Sequence, residues 1–412
     1  MLDWIKRIVI SELVIVMTIM AIGALSMSIL RPMLPLYLDH IGVNTTVLGL
    51  MFSVAMVGMV IGESSWGWVA DKIGLRVPLL VGTAACGAVV LSFLSTQNVP
   101  ALFTIFFVWG LLRSAIYGPG RGYIGANAPP AKKSTYMAIV AAMLAASRSL
   151  GALPGGFIVD TLGYNWIFII SCGIAVFGGL TVIAGLRATR QVKPEMPDIQ
   201  SSPSDESSSS ARTFIYRTFG VQCAIAALEF FAVGTLMTFM PLFATQVVGI
   251  SATQVGLIFT VGGLVAVVTG IPMGMLADRR GKRTFMILGL LISTTAMVGI
   301  ALTQSLLWLF TFGVILSVGM ATFSPAALGL LSDSIPRQRQ STAMGIYGGV
   351  CENSGVIAGS AFGGLIWRAW GPQATFIAAA IATGLGALIC STLVRVIPVG
   401  GSPSSSTDCD FC

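Results

Sequence analysis

Gly67-Trp68-Val69-Ala70-Asp71-Lys72-Ile73-Gly74-Leu75-Arg76 and Gly274-Met275-Leu276-Ala277-Asp278-Arg279-Arg280-Gly281-Lys282-Arg283 are two copies of one ten-residue pattern. They begin at 67 and 274, 207 residues apart in a chain of 412. Each copy follows one long apolar run and precedes another. A duplicated chain with a short charged loop between apolar runs in each half reads as a membrane machine of two similar bodies.

Composition sets the solvent. Hydrophobic residues are 55% of the chain and charged residues 9%, and the mean hydropathy is +0.89. A soluble domain is nearer a quarter charged. This chain cannot cover itself with a polar surface, so the lipid bilayer is its expected partner. The opening apolar run after Lys6 and Arg7 is too long for a cleaved signal and lacks a small-residue cleavage site, so it reads as a retained span. The formal charge of +7 is spread over short loops instead of forming one patch, so no nucleic-acid partner is expected. Cys86, Cys172, Cys223, Cys351 and Cys390 lie in apolar runs, where cysteine behaves as a small hydrophobe. Cys409 and Cys412 form a C-x-x-C in a polar tail and read as inert.

A spanning helix needs about 20 apolar residues. Twelve stretches qualify: 8–37, 46–69, 77–96, 101–123, 135–158, 166–186, 214–244, 253–276, 284–303, 306–331, 341–367 and 373–396. Loops after even-numbered spans and the two termini hold nearly all the loop cations, among them Lys72, Arg76, Lys132, Lys133, Arg279 and Arg280. The opposite loops hold only Arg368. The positive-inside rule then places the first set and both termini in the cytoplasm of an inner or plasma membrane protein. Between spans six and seven the composition turns to Ser, Pro, Glu and Asp, which reads as a flexible linker. The expected domains are 1–186, a linker at 187–212, a second bundle at 213–397 and a disordered cytoplasmic tail at 398–412.

The duplication extends beyond the loop. Val47-Leu48-Gly49-Leu50-Met51-Phe52 matches Gln254-Val255-Gly256-Leu257-Ile258-Phe259, and Gly155-Gly156-Phe157-Ile158 matches Gly363-Gly364-Leu365-Ile366. Gly118-Pro119 matches Ser324-Pro325, and Ser134-Thr135-Tyr136-Met137 matches Ser341-Thr342-Ala343-Met344. Six is an even number of spans, so both halves cross the bilayer in the same sense.

These features resemble the major facilitator superfamily of secondary transporters, closest to its drug:proton antiporter-like branch. The paired loop G-x-x-A-D-[RK]-x-G-x-R is the family's most specific signature, with Leu75 replacing a basic residue in the first copy. Arg113, Gly118 and Gly120 meet the family's span-four pattern. Gly151, Gly155 and Gly156 keep the frame of its span-five antiporter motif, but Ala152 stands where the family has proline and Pro154 lies two places on. The resemblance implies an all-α integral membrane protein with twelve helices in two pseudo-symmetric six-helix bundles. It implies alternating access without a cofactor, a small-molecule substrate and a monomer. Spans one, four, seven and ten would line the central cavity.

On that frame the loops read as a cytoplasmic gate. Its residues are Glu63, Gly67, Asp71, Gly74, Arg76 and Arg121, with Gly274, Asp278, Gly281 and Arg283 in the second half. The family places the loop aspartate near a helix start of the other half, where the dipole favours an anion. The cavity candidates are the charges at membrane depth. Such charges are costly and usually mark a pathway. They are Arg31, Arg113 and Arg148 with Tyr117 in the first half, and Glu229, Glu352 and Asn353 in the second. The arginines would attract an anionic or polar substrate group, and one glutamate would carry a proton. His40 is the only histidine and cannot form a metal cluster, and no nucleophile–base pair or phosphate loop suggests an enzyme. Proton-coupled efflux of a small amphiphilic compound is the leading expectation. Proton-coupled or facilitated uptake of an organic anion or small metabolite is the alternative, and a non-transporting receptor or scaffold the remote one.

Overall fold

The computed structural model describes residues 2–129, 133–186, 209–335 and 340–393. The stretches read as linker (apart from Ser209 onward) and tail, with Cys409 and Cys412, lie outside the described residues. Ten helices are long and apolar enough to cross a membrane among the described residues, and Arg76–Ser92 is a shorter apolar one. Span eleven completes the twelve as Gln340–Ile346, a π turn at Tyr347–Glu352, and Asn353–Trp370.

Spans one and five are interrupted beside a proline, whereas Pro119, Pro241, Pro272 and Pro325 lie inside continuous helices. Span one breaks between Leu2–Leu30 and Leu34–His40, with Pro35 in the first turn of the second piece. Span five breaks between Lys133–Leu150 and Ala152–Leu162. Pro154 has no N–H to give to the carbonyl four residues back, at Leu150, so the helix yields there. Span three carries a π turn at Val81–Ala85. Spans two, four and six are Thr45–Ile73, Val99–Asn127 and Tyr164–Gly185. Spans seven to ten are Ser209–Gln246, Ala252–Arg280, Lys282–Leu302 and Leu306–Ser334, and span twelve is Pro372–Leu393.

The packing repeats with the sequence. Span two lies on four, span one on five and six, and span three on six. Span eight lies on ten, span seven on eleven and twelve, and span nine on twelve. Between the halves, span two packs on eleven and span eight on five, two crossings related by the same repeat.

These crossings rely on absent side chains. A Cβ on Gly49 would strike the Ser360 carbonyl oxygen, and one on Gly256 would strike that of Ala152. Gly364 and Gly156 meet the carbonyls of Thr45 and Ala252 in the same way. All lie toward the end of the molecule that carries His40. There a single hydrophobic core runs through both halves, from Met27 and Phe52 to Phe239 and Trp367. At the other end, which carries the repeated loops, the core divides. Leu75, Ile116 and Leu186 belong to one cluster of the first half, and Ala277, Phe323 and Leu331 to another of the second. Among the described residues the molecule is therefore sealed at its His40 end and parted at its loop end.

A Gly256→Leu exchange should wedge the sealed end apart. Thr260, one turn along and buried here, reports this as Thr260→Cys. Its maleimide labelling in lipid should rise several-fold when Gly256→Leu is added.

Candidate functional site

The sealed end is held by polar contacts between the halves as well as by its core. Ser53 Oγ donates to the Ile357 carbonyl at 2.8 Å, and Thr46 Oγ1 to that of Gly364 at 3.3 Å. On the opposite crossing, Thr260 Oγ1 donates to the Ser149 carbonyl at 2.8 Å and accepts from Leu153 N–H at 3.0 Å. Asp160, at the end of span five, sits on the start of span eight. Its carboxylate accepts from the Ala252 and Thr253 N–H groups at 3.1 and 2.8 Å, and from the Thr253 hydroxyl. A helix start offers unpaired N–H groups and a partial positive charge. Sequence reasoning does not single out Asp160. The available signal is the following Gly163 with the Ser251 N-cap and Gln254 capping box of span eight, which fix where the helix start must be.

At the loop end the contacts of the gate candidates stay within their own halves among the described residues. Gly74 and Gly281 have φ of 91° and 106°, a region that disfavours any side chain, and each ends one helix and turns into the next. Arg76 reaches the Ile183 carbonyl at 3.3 Å, and Arg283 reaches those of Cys390 and Ser391. Ile183 and Cys390 are 207 positions apart, so both copies use the motif arginine to bind the last carbonyls of a bundle's sixth span. The sequence places these arginines at the gate; the structure gives each a helix-end role.

Asp71 and Asp278 are exposed. Lys282 lies 3.5 Å from Asp278 and 2.7 Å from Asp333 of span ten. The first copy has Leu75 there, buried among the apolar residues of its half. Asp71 forms no ion pair among the described residues, and Lys72 instead lies over the Trp68 ring at 3.7 Å. Residues 130–132 and 336–339, just before spans five and eleven, lie outside the described residues. Gly67 has open space beside it, whereas Gly274 faces Pro325 of its own half. Glu63 and Arg121 form no ion pair among the described residues; Arg121 is exposed.

Deeper in the first half, the structure brings the arginines together. Arg31 lies at the break of span one, within electrostatic reach of Arg113, Arg148 and Tyr117. Arg113 lies 5.3 Å from the Trp109 ring centroid and 3.2 Å from Met59 Sδ. Its buried Nε has no hydrogen-bond partner among the described residues. Arg148 lies 5.9 Å from the centroid of Tyr117, and its side chain is exposed. Ser28 Oγ donates to the Arg148 carbonyl, and Gly155 passes close to the Ile29 backbone. The tight crossing of spans one and five thus sets Arg31 beside Arg148.

The carboxyls of the second half are placed apart from this cluster. Glu229 is 2% exposed and accepts from Ser293 Oγ of span nine at 2.9 Å. It therefore points into its own bundle. Its second oxygen is buried with no partner among the described residues. Glu352 is half-buried at the end of the π turn. Asn353 turns back on that turn, donating to the Gly348 and Gly349 carbonyls at 3.3 and 3.1 Å. It satisfies backbone groups that the π geometry loosens. Gly348-Gly349 is the available sequence signal for this turn.

Comparison with known proteins finds one family model, described as Major Facilitator Superfamily, matching twice in succession, over residues 16–221 and 222–408. Relatives include Multidrug resistance protein MdtG of Yersinia enterocolitica, 24% identical over 370 residues, covering 88% of this chain and 87% of that protein. MdtG of Escherichia coli is 22% identical over 390 residues, covering 92% of each. Among solved structures, a bacterial homolog of the human lysosomal transporter Spinster, crystallised inward-facing and unoccupied, superposes with a TM-score of 0.78 at 14% identity. It covers 93% of this chain and 96% of that one. A mutant form of the nucleoside transporter NupG gives 0.74 at 11% identity, covering 93% and 100%.

The Asp160 contact makes a direct expectation. An anion at a helix start is worth about 0.3–1 kcal/mol, up to about 2 when partly buried. Asp160→Asn should therefore shift the balance between the two end states by about two- to thirtyfold away from the state sealed at the His40 end. Spin-label distances between spans five and eight would show it as a longer-distance population.

Proposed function

The chain belongs to the Major Facilitator Superfamily and is a multi-pass membrane transporter, and we propose that it exports small amphiphilic compounds in exchange for protons by alternating access. The observation that carries this reading is the pair of bundles sealed at the His40 end and parted at the loop end, with an exposed arginine, Arg148, at the break of span five. Its similarity to the multidrug resistance protein MdtG supports a drug-like substrate. The distribution of loop cations supports a cytoplasmic location for the loop end and both termini, in an inner or plasma membrane. With that sidedness, the conformation described above faces inward.

The duplicated loops then form the cytoplasmic latch of a monomer. Asp71 and Asp278 form no ion pair with the opposite half among the described residues, as expected of a released latch. In the outward-facing state each would settle on the start of span eleven or five, as Asp160 settles on the start of span eight in this one. Glu352 is the better candidate for the coupling proton, because it is the less deeply buried of the two carboxyls. Glu229 would exchange its proton only if span nine moves and frees it from Ser293. Uptake of an organic anion is the second reading, favoured by the unpaired arginines of the first half.

The test is transport in proteoliposomes under an imposed pH gradient, with a panel of amphiphilic cations and anions. Proton-driven movement should appear for at least one class. Glu352→Gln should slow it by about tenfold or more while leaving downhill exchange of the compound in place. If Glu352→Gln and Glu229→Gln both keep full pH-driven transport, coupling through carboxyls at membrane depth is wrong.

A further inference from the structure

We propose that Arg31, Arg113 and Arg148 form the headgroup subsite of the transported compound, and that the headgroup is an organic oxyanion, a carboxylate or a phosphate-like group. This rests on the transport reading above and names the substrate class of that same site.

Three observations support it. First, Arg31 lies within electrostatic reach of both Arg113 and Arg148, and none of the three forms an ion pair with a carboxylate among the described residues. Among the described residues the only ion pairs are those of Lys282, at the loop end. The groups acting on Arg31 are Arg113, Arg148 and Tyr117, none of them a carboxylate. Glu63, on the neighbouring span two, forms no ion pair with them, and Glu229 is turned to Ser293. Like charges at membrane depth are costly, and such groups elsewhere pair with one another or with backbone carbonyls.

Second, the arginines retain unused donors. Arg113 Nε is buried without a partner, and its remaining contacts are the soft ones to Met59 and Trp109. No side-chain hydrogen bond of Arg31 or Arg148 to a described residue is seen. A guanidinium presents five N–H donors in a fork that matches a carboxylate or phosphate edge.

Third, the cluster is accessible where a substrate would arrive. Arg148 is exposed, at the break of span five, while the bundles are parted on the loop side. Tyr117 is a neighbour of both Arg148 and Arg31 and can complete the headgroup shell with its hydroxyl. The placement on spans one, four and five comes from two features already described, the Pro-linked breaks and the close crossing of Ser28 with span five.

An unbalanced cation cluster has an unusual signature, because removing a member should relieve repulsion in the empty protein while weakening the ligand. The experiment uses the full chain in lipid nanodiscs, with phenyl phosphate and phenyltrimethylammonium as matched probes. Binding is measured by calorimetry, and melting is measured without ligand. Wild type should bind phenyl phosphate at least about tenfold more tightly than the cation. Arg31→Gln and Arg148→Gln should each weaken phenyl phosphate by about tenfold or more, leave the cation unchanged or tighter, and melt at or above the wild-type temperature. Arg148→Lys should recover part of the affinity, since it restores charge but not the fork. The proposal is overturned if the cation binds as tightly as the phosphate. It is also overturned if both Gln variants keep wild-type phosphate affinity or melt lower with the affinity unchanged. Proton-driven transport of cations alone would overturn the anion subsite while leaving proton-coupled export standing. Tight, arginine-dependent phosphate binding without any pH-driven flux would support the subsite and sink the coupling.

Discussion

The structure depends on backbone touching backbone at two crossings. Where span two meets eleven and span eight meets five, Gly49, Gly364, Gly256 and Gly156 let a carbonyl oxygen of the opposite half occupy the place of a side chain. Nothing larger fits without moving the halves apart. At these crossings the closest contacts are backbone on glycine, so they interlock few long side chains. The seal can therefore open by rigid rotation, with few rotamers to rearrange. Its polar contacts are of similar character: a hydroxyl on a carbonyl at Ser53 and Thr260, and a carboxylate on a helix start at Asp160. Each is worth on the order of 1 kcal/mol. A few such contacts hold one end shut, and binding energies of ordinary size can release them.

The duplication explains why there are two crossings of equal design. Gly49 and Gly256 occupy the same place in their repeats, and so do Gly156 and Gly364. The motif arginines follow the same logic, each binding the last carbonyls of its sixth span. One solution, copied, produced both sides of the hinge. The copies have since diverged where symmetry is not required. Lys282 joins Asp278 and Asp333 in one half, while Leu75 is buried among apolar neighbours in the other. The two halves need not fasten their loops equally firmly.

Much of this was legible in the residues. Apolar length and loop charge mark twelve spans whose ends fall close to the helix ends, and the internal matches name the glycines that form the seal. Pro35 and Pro154 lie at the breaks in spans one and five, but Pro119, Pro241, Pro272 and Pro325 sit inside unbroken helices, so a proline alone does not tell where a span breaks. Other features were not legible. A π turn such as Tyr347–Glu352 depends on where one extra residue is absorbed, and periodicity over a uniformly apolar helix does not record that. The direction of Glu229 depends on Ser293, 64 positions away, so its place on a cavity helix does not tell which face it takes. The arginine cluster lies between these cases. Its members are visible one by one, but their closeness rests on the crossing of Ser28 and Gly155 between spans one and five.

That crossing also keeps the arginines on one bundle, at distances fixed by its packing. Rocking changes distances between groups on different bundles and leaves distances within a bundle nearly fixed. Repulsion among Arg31, Arg113 and Arg148 is therefore almost the same in every state of the cycle and cannot drive it. Attraction between those arginines and a carboxylate on the second bundle would change as the bundles move, because Coulomb energy falls with distance and with the water that enters a parted cleft. Protonating the carboxyl removes that attraction from one partner, and an anion on the arginines removes it from the other. Two ligands of opposite charge, on opposite bundles, thereby act on one state-dependent term. In the proton-coupled cycle proposed above, that term would be the simplest physical link between substrate and proton.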